Sequence, residues 1–101
     1  MSTKATVFVT RKLPDAVENR LRRDYDARLN PDDTLYSRDE IIERSRGAQA
    51  ILPCHTEHFT ADVLQRLPAD VRIIANFSVG YDHVDVNAAR SKGIVVTNTP
   101  D

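Results

Sequence analysis

Val71-Arg72-Ile73-Ile74-Ala75-Asn76-Phe77 runs into Ser78-Val79-Gly80, and further on comes Gly93-Ile94-Val95-Val96-Thr97-Asn98. The runs Val71–Phe77 and Ile94–Asn98 are apolar and β-branched, the composition of strands that pack on a core. Between them Asp85 is placed to cap a short helix, and Gly93 to close it. Strand, loop, helix and strand in that order form one βα unit, and successive units of this kind build a parallel sheet.

Working outward from this unit, three more strands read upstream: Ala5–Thr10, Asp26–Asn30 and Ala48–Leu52. The five strand centres lie roughly 22 residues apart, the spacing expected when a helix follows each strand. Leu13, Val17 and Leu21 recur at i, i+4, i+8, with Pro14 near the first turn. Asp15 and Glu18 stand early in that helix and Arg20, Arg22 and Arg23 late, which complements the helix dipole. Ser37-Arg38-Asp39-Glu40 is a capping box, with Tyr36 and Ile41 as its hydrophobic staple, and Gly47 is the stop. Thr60 caps a third helix, Phe59 and Leu64 form its staple, and Pro68 ends it after Leu67.

Asp26-Ala27-Arg28-Leu29-Asn30 alternates polar and apolar residues, so it belongs at a sheet edge, whereas the first, third and fourth strands read as central. With right-handed crossovers this predicts an α/β, flavodoxin-like, parallel five-stranded sheet in the order 2-1-3-4-5. Such a sheet binds ligands at the C-terminal ends of its strands, near the switch point between strands one and three. The sequence stops at Asp101, so the last covering helix of this architecture is expected to be missing and central apolar side chains to stand partly uncovered.

Composition narrows the function classes. Fourteen Lys plus Arg against fifteen Asp plus Glu, a net charge of −1 over 101 residues, leave no electrostatic footprint for nucleic acid or an anionic membrane. Apolar residues make up 41%, too many for a disordered chain. No apolar run exceeds three residues, so no segment is read as spanning a bilayer. Arg11 and Lys12 follow a strand-like start and not an apolar stretch, which excludes a signal peptide from this reading. A lone cysteine, Cys54, fits a reducing, cytoplasmic setting.

Four loops leave the C-terminal strand ends. Thr10-Arg11-Lys12-Leu13-Pro14 lacks the glycine that a phosphate cradle needs, which disfavours a flavin phosphate there. Cys54-His55-Thr56-Glu57-His58 resembles a metal cluster at first sight, but no second ligand pair stands at zinc-site spacing, so no metal is assigned. A hydrated loop or a substrate-side wall describes that segment better, and Cys54 lacks an assignable base for nucleophilic chemistry. In Ser78-Val79-Gly80, a glycine directly after a buried strand lets successive backbone N–H groups form an anion-binding concavity. A glycine needed only for the turn explains the same residues equally well.

The compound string Val79-Gly80-Tyr81-Asp82-His83-Val84-Asp85 followed by Gly93-Ile94-Val95-Val96-Thr97-Asn98-Thr99-Pro100 closely resembles the D-isomer-specific 2-hydroxyacid dehydrogenases, most of all their glyoxylate/hydroxypyruvate reductase branch. The resemblance implies that residues 1–101 are the N-terminal segment of a substrate-binding (catalytic) domain, with the NAD(P)-binding Rossmann domain absent from this chain. It implies an oxidoreductase that reduces small 2-oxo acids to D-2-hydroxy acids with NAD or NADP. The family's catalytic arginine, glutamate and histidine and its glycine-rich cofactor loop then fall beyond Pro100. Neither catalytic nor cofactor-binding residues are therefore expected here, and this segment alone is expected to be inactive.

Carried over residue by residue, Val79 and Gly80, with Ser78 beside them, resemble the family's carboxylate-binding loop. Cys54 and His55 resemble the wall near the substrate side chain, and Thr97–Pro100 the approach to the interdomain connection. The uncovered face leads to an expectation of self-association as a homodimer. The alternative is a non-catalytic flavodoxin-like binding or protein-interaction module.

Overall fold

The computed structural model describes residues 4–53, 58–76 and 84–98. Its elements alternate as expected: β1 (Thr6–Val9), α1 (Asp15–Asp24), β2 (Asp26–Arg28), α2 (Arg38–Arg44), β3 (Ala50–Leu52), α3 (Ala61–Arg66), β4 (Ile73–Asn76), α4 (Val86–Ser91) and β5 (Val95–Asn98). All sheet pairings are parallel, and the order is β2-β1-β3-β4-β5. The strands are shorter than the apolar runs that announced them. Single backbone bonds continue the pairing past the strand ends, as in Gln49 N to Thr6 O at 2.9 Å and Thr10 N to Leu52 O at 3.3 Å. Among the described residues no helix is long and apolar enough to cross a membrane.

Local chemistry explains the helix ends. Ser37 Oγ accepts from Glu40 N at 3.2 Å while Glu40 Oε1 accepts from Ser37 N at 3.0 Å, the reciprocal capping box. Thr60 and Asp85 cap α3 and α4 through Val63 N and Ala88 N. At the end of α4, Gly93 takes φ +79°, and Ile94 N reaches back to Ala89 O at 2.9 Å, a Schellman closure that a left-handed residue makes possible. Pro14 precedes α1 without any side-chain cap. Lys92 Nζ donates to Leu64 O, Gln65 O and Leu67 O at 2.8, 3.0 and 2.6 Å, tying the end of α3 to the end of α4.

The two sheet faces differ. On one, Phe8, Ile51 and Ile74 pack with Ile41, Phe59, Val63, Leu64 and Ala89 from the α2–α4 side. Burying each of the larger side chains contributes ~1.5–3 kcal/mol, and these residues form most of the core. On the other face α1 is, among the described residues, the one helix over β1 and its neighbours, where Val7, Val9 and Leu13 meet Val17, Leu21, Ala50 and Leu52. Ile73 and Val95 are in register on this second face and remain 41% and 58% exposed. A cavity of about 380 Å³ opens there between Leu21, Tyr25, Ala50, Leu52, Ile73 and Ala75. Among the described residues, the strand β4 is thus covered on one side and largely open on the other.

Candidate functional site

The C-terminal strand ends meet at one rim. Thr10 directly follows β1 and is fully buried, and Pro53 after β3 and Asn76 at the tip of β4 are buried too. The candidate substrate-binding residues Cys54, His55, Ser78, Val79 and Gly80 lie outside the described residues. Their flanks are described. Residues 54–57 lie between buried Pro53 and buried Phe59, and residues 77–83 lie between buried Asn76 and buried Val84. Phe59 and Val84 form an isolated parallel bridge, and Asp85 N donates to Phe59 O at 2.8 Å. Since β3 and β4 are also neighbours, the described residues that flank the two segments lie side by side.

The corner of the rim at β1 and β2 is an ionic framework that the residue pattern did not announce. The Arg11 guanidinium grips Asp33 through Nε at 2.7 Å and Nη2 at 3.0 Å, and Lys12 N adds a bond at 2.9 Å. Arg11 above all, and then the Lys12 N–H, hold the Asp33 carboxyl down to about 2. Asp33 sits at φ +52°, a left-handed position that aspartate tolerates better than most residues. Asn30, also buried, donates to Thr10 O at 3.0 Å and Thr34 O at 2.8 Å and accepts from Thr34 N. The loops after β1 and β2 are therefore stapled together. The only foreshadowing in sequence is the turn-forming Asn30-Pro31-Asp32-Asp33.

Glu18, which the pattern placed early in the first helix where an acid complements the dipole, is also buried and folded back on the loop. Its carboxylate accepts from Lys12 Nζ at 2.9 Å and from Leu13 N at 3.0 Å. Burial pushes its pKa up, but the Lys12 and Leu13 bonds and the charges of Lys12 and Arg22 outweigh this and leave it below the usual range. Lys12 is raised in turn, by Glu18 first and Asp15 second. Both cations are engaged by carboxylates, so their role at the rim is to hold the loop. His58 is exposed and lines a cavity with Leu35, Arg38 and Thr60. Among the described residues no group of His, Cys, Asp and Glu could hold a metal ion.

Residues 7–101 match the family model of D-isomer specific 2-hydroxyacid dehydrogenase, catalytic domain. The chain belongs to this family. A glycerate dehydrogenase from Hyphomicrobium methylovorum is 34% identical over 98 residues, which is 97% of this chain and 30% of that protein. A glyoxylate reductase from Thermococcus gammatolerans is 37% identical over 98 residues, 97% of this chain and 29% of the reductase. In structure, a protein from Polaromonas sp. JS6 66 assigned to the same NAD-binding family superposes with a TM-score of 0.90 at 40% identity, over 97% of this chain and 31% of that one. The chain thus spans about 30% of these D-2-hydroxyacid dehydrogenase relatives.

The described residues do not fit a dinucleotide. Such a group needs a glycine-rich turn between a strand and a helix N-terminus. Gly47 and Gly93 instead follow the C-terminal ends of α2 and α4, and the loop after β1 carries Thr10, Arg11 and Lys12.

Proposed function

We propose that residues 1–101 are the first segment of the substrate-binding domain of an NAD(P)-dependent oxidoreductase that reduces small 2-oxo acids, of the glyoxylate or hydroxypyruvate type, to D-2-hydroxy acids. The observation that carries this reading is the family match over residues 7–101 on a parallel sheet in which the chain runs from β4 to α4 through residues 77–83, which contain Ser78–Gly80. The relatives point to the substrate class: one is a glyoxylate reductase, another a glycerate dehydrogenase. A third, from Sinorhizobium meliloti and 29% identical, is an NADPH-dependent glyoxylate/hydroxypyruvate reductase.

In this reading the backbone N–H groups of Val79 and Gly80, with Ser78, bind the substrate carboxylate, and Cys54 and His55 wall its side chain. Charge-assisted bonds from fixed amides suit a small carboxylate, which offers little apolar surface. The cofactor-binding domain and the groups that transfer the proton belong to the rest of the parent protein, and so does the cover for the bare β4–β5 face. A chain of 101 residues on its own has no turnover.

The test is Gly80→Val in the full-length reading frame. KM for glyoxylate or hydroxypyruvate should rise while the affinity for NAD(P)H stays nearly unchanged. An unaltered KM removes the carboxylate assignment, and NAD(P)H oxidation by residues 1–101 alone removes the claim of inactivity.

A further inference from the structure

We propose that the cleft between the starts of α2 and α3 binds a small organic monocarboxylate with an apolar tail, the carboxylate held by Arg38 and His58. The cleft measures about 360 Å³, at the small end of the ~300–1,000 Å³ range of ligand pockets. Buried Ile41, Phe59 and Val63 form its floor, and Leu35, Arg38 and His58 stand exposed at its rim. Leu35 keeps 68% of its surface in water although it lines this apolar floor. Tyr36 closes one side: its ring centroid lies 5.8 Å from that of Phe8, and the Arg44 guanidinium stands 4.6 Å from it. A wall held in this way is ordered before any ligand arrives, which lowers the cost of binding.

The charges select the ligand's polar end. Among the described residues, the side chains of Arg38 and His58 have no hydrogen-bond or ion-pair partner. The acids beside them in α2 and α3 are engaged elsewhere. Arg66 holds Asp39 at 2.7 Å and stands 3.8 Å from Asp62, while Glu40 closes the capping box on Ser37 N. A guanidinium fork matches a carboxylate with two parallel N–H···O bonds, and an imidazole N–H can add a third. A phosphate group carries nearly two charges and three strong acceptor oxygens, more than these donors satisfy. A wholly apolar ligand leaves both donors unused. One negative charge on a branched or aromatic body matches rim and floor together. This inference goes beyond the reading of Ser78–Gly80 and does not depend on it.

The experiment is isothermal titration of the full-length reading frame with 3-phenylpropanoate, which has no 2-oxo group to reduce. Binding should be saturable. The neutral 3-phenylpropanamide and the tail-less acetate should each bind about tenfold more weakly. Arg38→Gln should weaken binding of the acid about tenfold and His58→Gln about threefold, as a charged fork and a single donor are lost. Leu35→Asp sets a like charge at the rim and should abolish it. All three side chains are exposed, so the melting temperatures without ligand should stay close to the parent's. Gly80→Val should leave the affinity for 3-phenylpropanoate unchanged. Absence of saturable binding overturns the proposal, as does an amide that binds as tightly as the acid. Unchanged affinity in both Arg38→Gln and Leu35→Asp overturns it equally. Weakening in Gly80→Val with the cleft variants unaffected assigns the probe to Ser78–Gly80, which refutes the cleft and leaves the carboxylate-loop reading standing.

Discussion

Replacing Glu18 by glutamine tests whether the loop after β1 is held by a buried charge. The Glu18 side chain is 3% exposed, and its carboxylate bonds both the Lys12 ammonium and the Leu13 N–H. Glutamine keeps an acceptor for Leu13 but turns a neutral amide toward Lys12, which retains Asp15 and Leu13 O as partners. The loss is therefore one charge-assisted bond, about 1.5–3 kcal/mol, and not the larger cost of stranding a fully buried cation. A domain of this size has about 5–15 kcal/mol in all, so urea unfolding should show a midpoint lower by roughly 1–2 M.

The pH dependence carries the sharper prediction. Glu18 titrates below its ordinary value in the fold, so its contribution is fully present above the unfolded value of about 4.3 and is lost as pH falls through the folded one. The gap between the parent and Glu18→Gln should be full at neutral pH and close progressively below about pH 4. Urea titrations across that range check it. A gap that is the same at pH 7 and pH 3 refutes the role of the ionised carboxylate, and no gap at pH 7 refutes the buried pair altogether.

Gly47→Ala and Gly93→Ala both force alanine into left-handed backbone, φ +78° and +79°, at about 1 kcal/mol each. At Gly47 the new Cβ also comes 3.3 Å from Arg28 Nη2, so the thermal midpoint should drop more there than at Gly93, where the space is open; the reverse order would contradict the contact. The isolated chain should self-associate through the bare face, and sedimentation equilibrium at about 100 µM should show species above the monomer. Ile73→Lys combined with Val95→Lys should return it to monomer, whereas a clean monomer of the parent chain excludes this use of the face.

Sequence alone determined the alternation of strands and helices, the parallel order and the family, because these rest on local signals. Ser37 and Glu40, Thr60, Asp85 and Gly93 each act within a few residues of themselves, and the edge character of Asp26–Asn30 is written in its alternation. The proposed carboxylate-binding segment Ser78–Gly80 and the proposed wall at Cys54 and His55 rest on motifs, and both lie outside the described residues. Tertiary structure decided the rest, since it pairs residues far apart in the chain. Arg11 meets Asp33 across 22 positions, Asn30 holds Thr10 across 20, and Asn76 reaches Thr97 across 21. Helical position marked Glu18 only as an acid that complements the dipole, and it is the fold that turns Lys12 and Leu13 back over it and makes its burial tolerable. Local spacing records propensity, but which polar side chain finds a partner across the rim depends on strands that only the assembled sheet brings together.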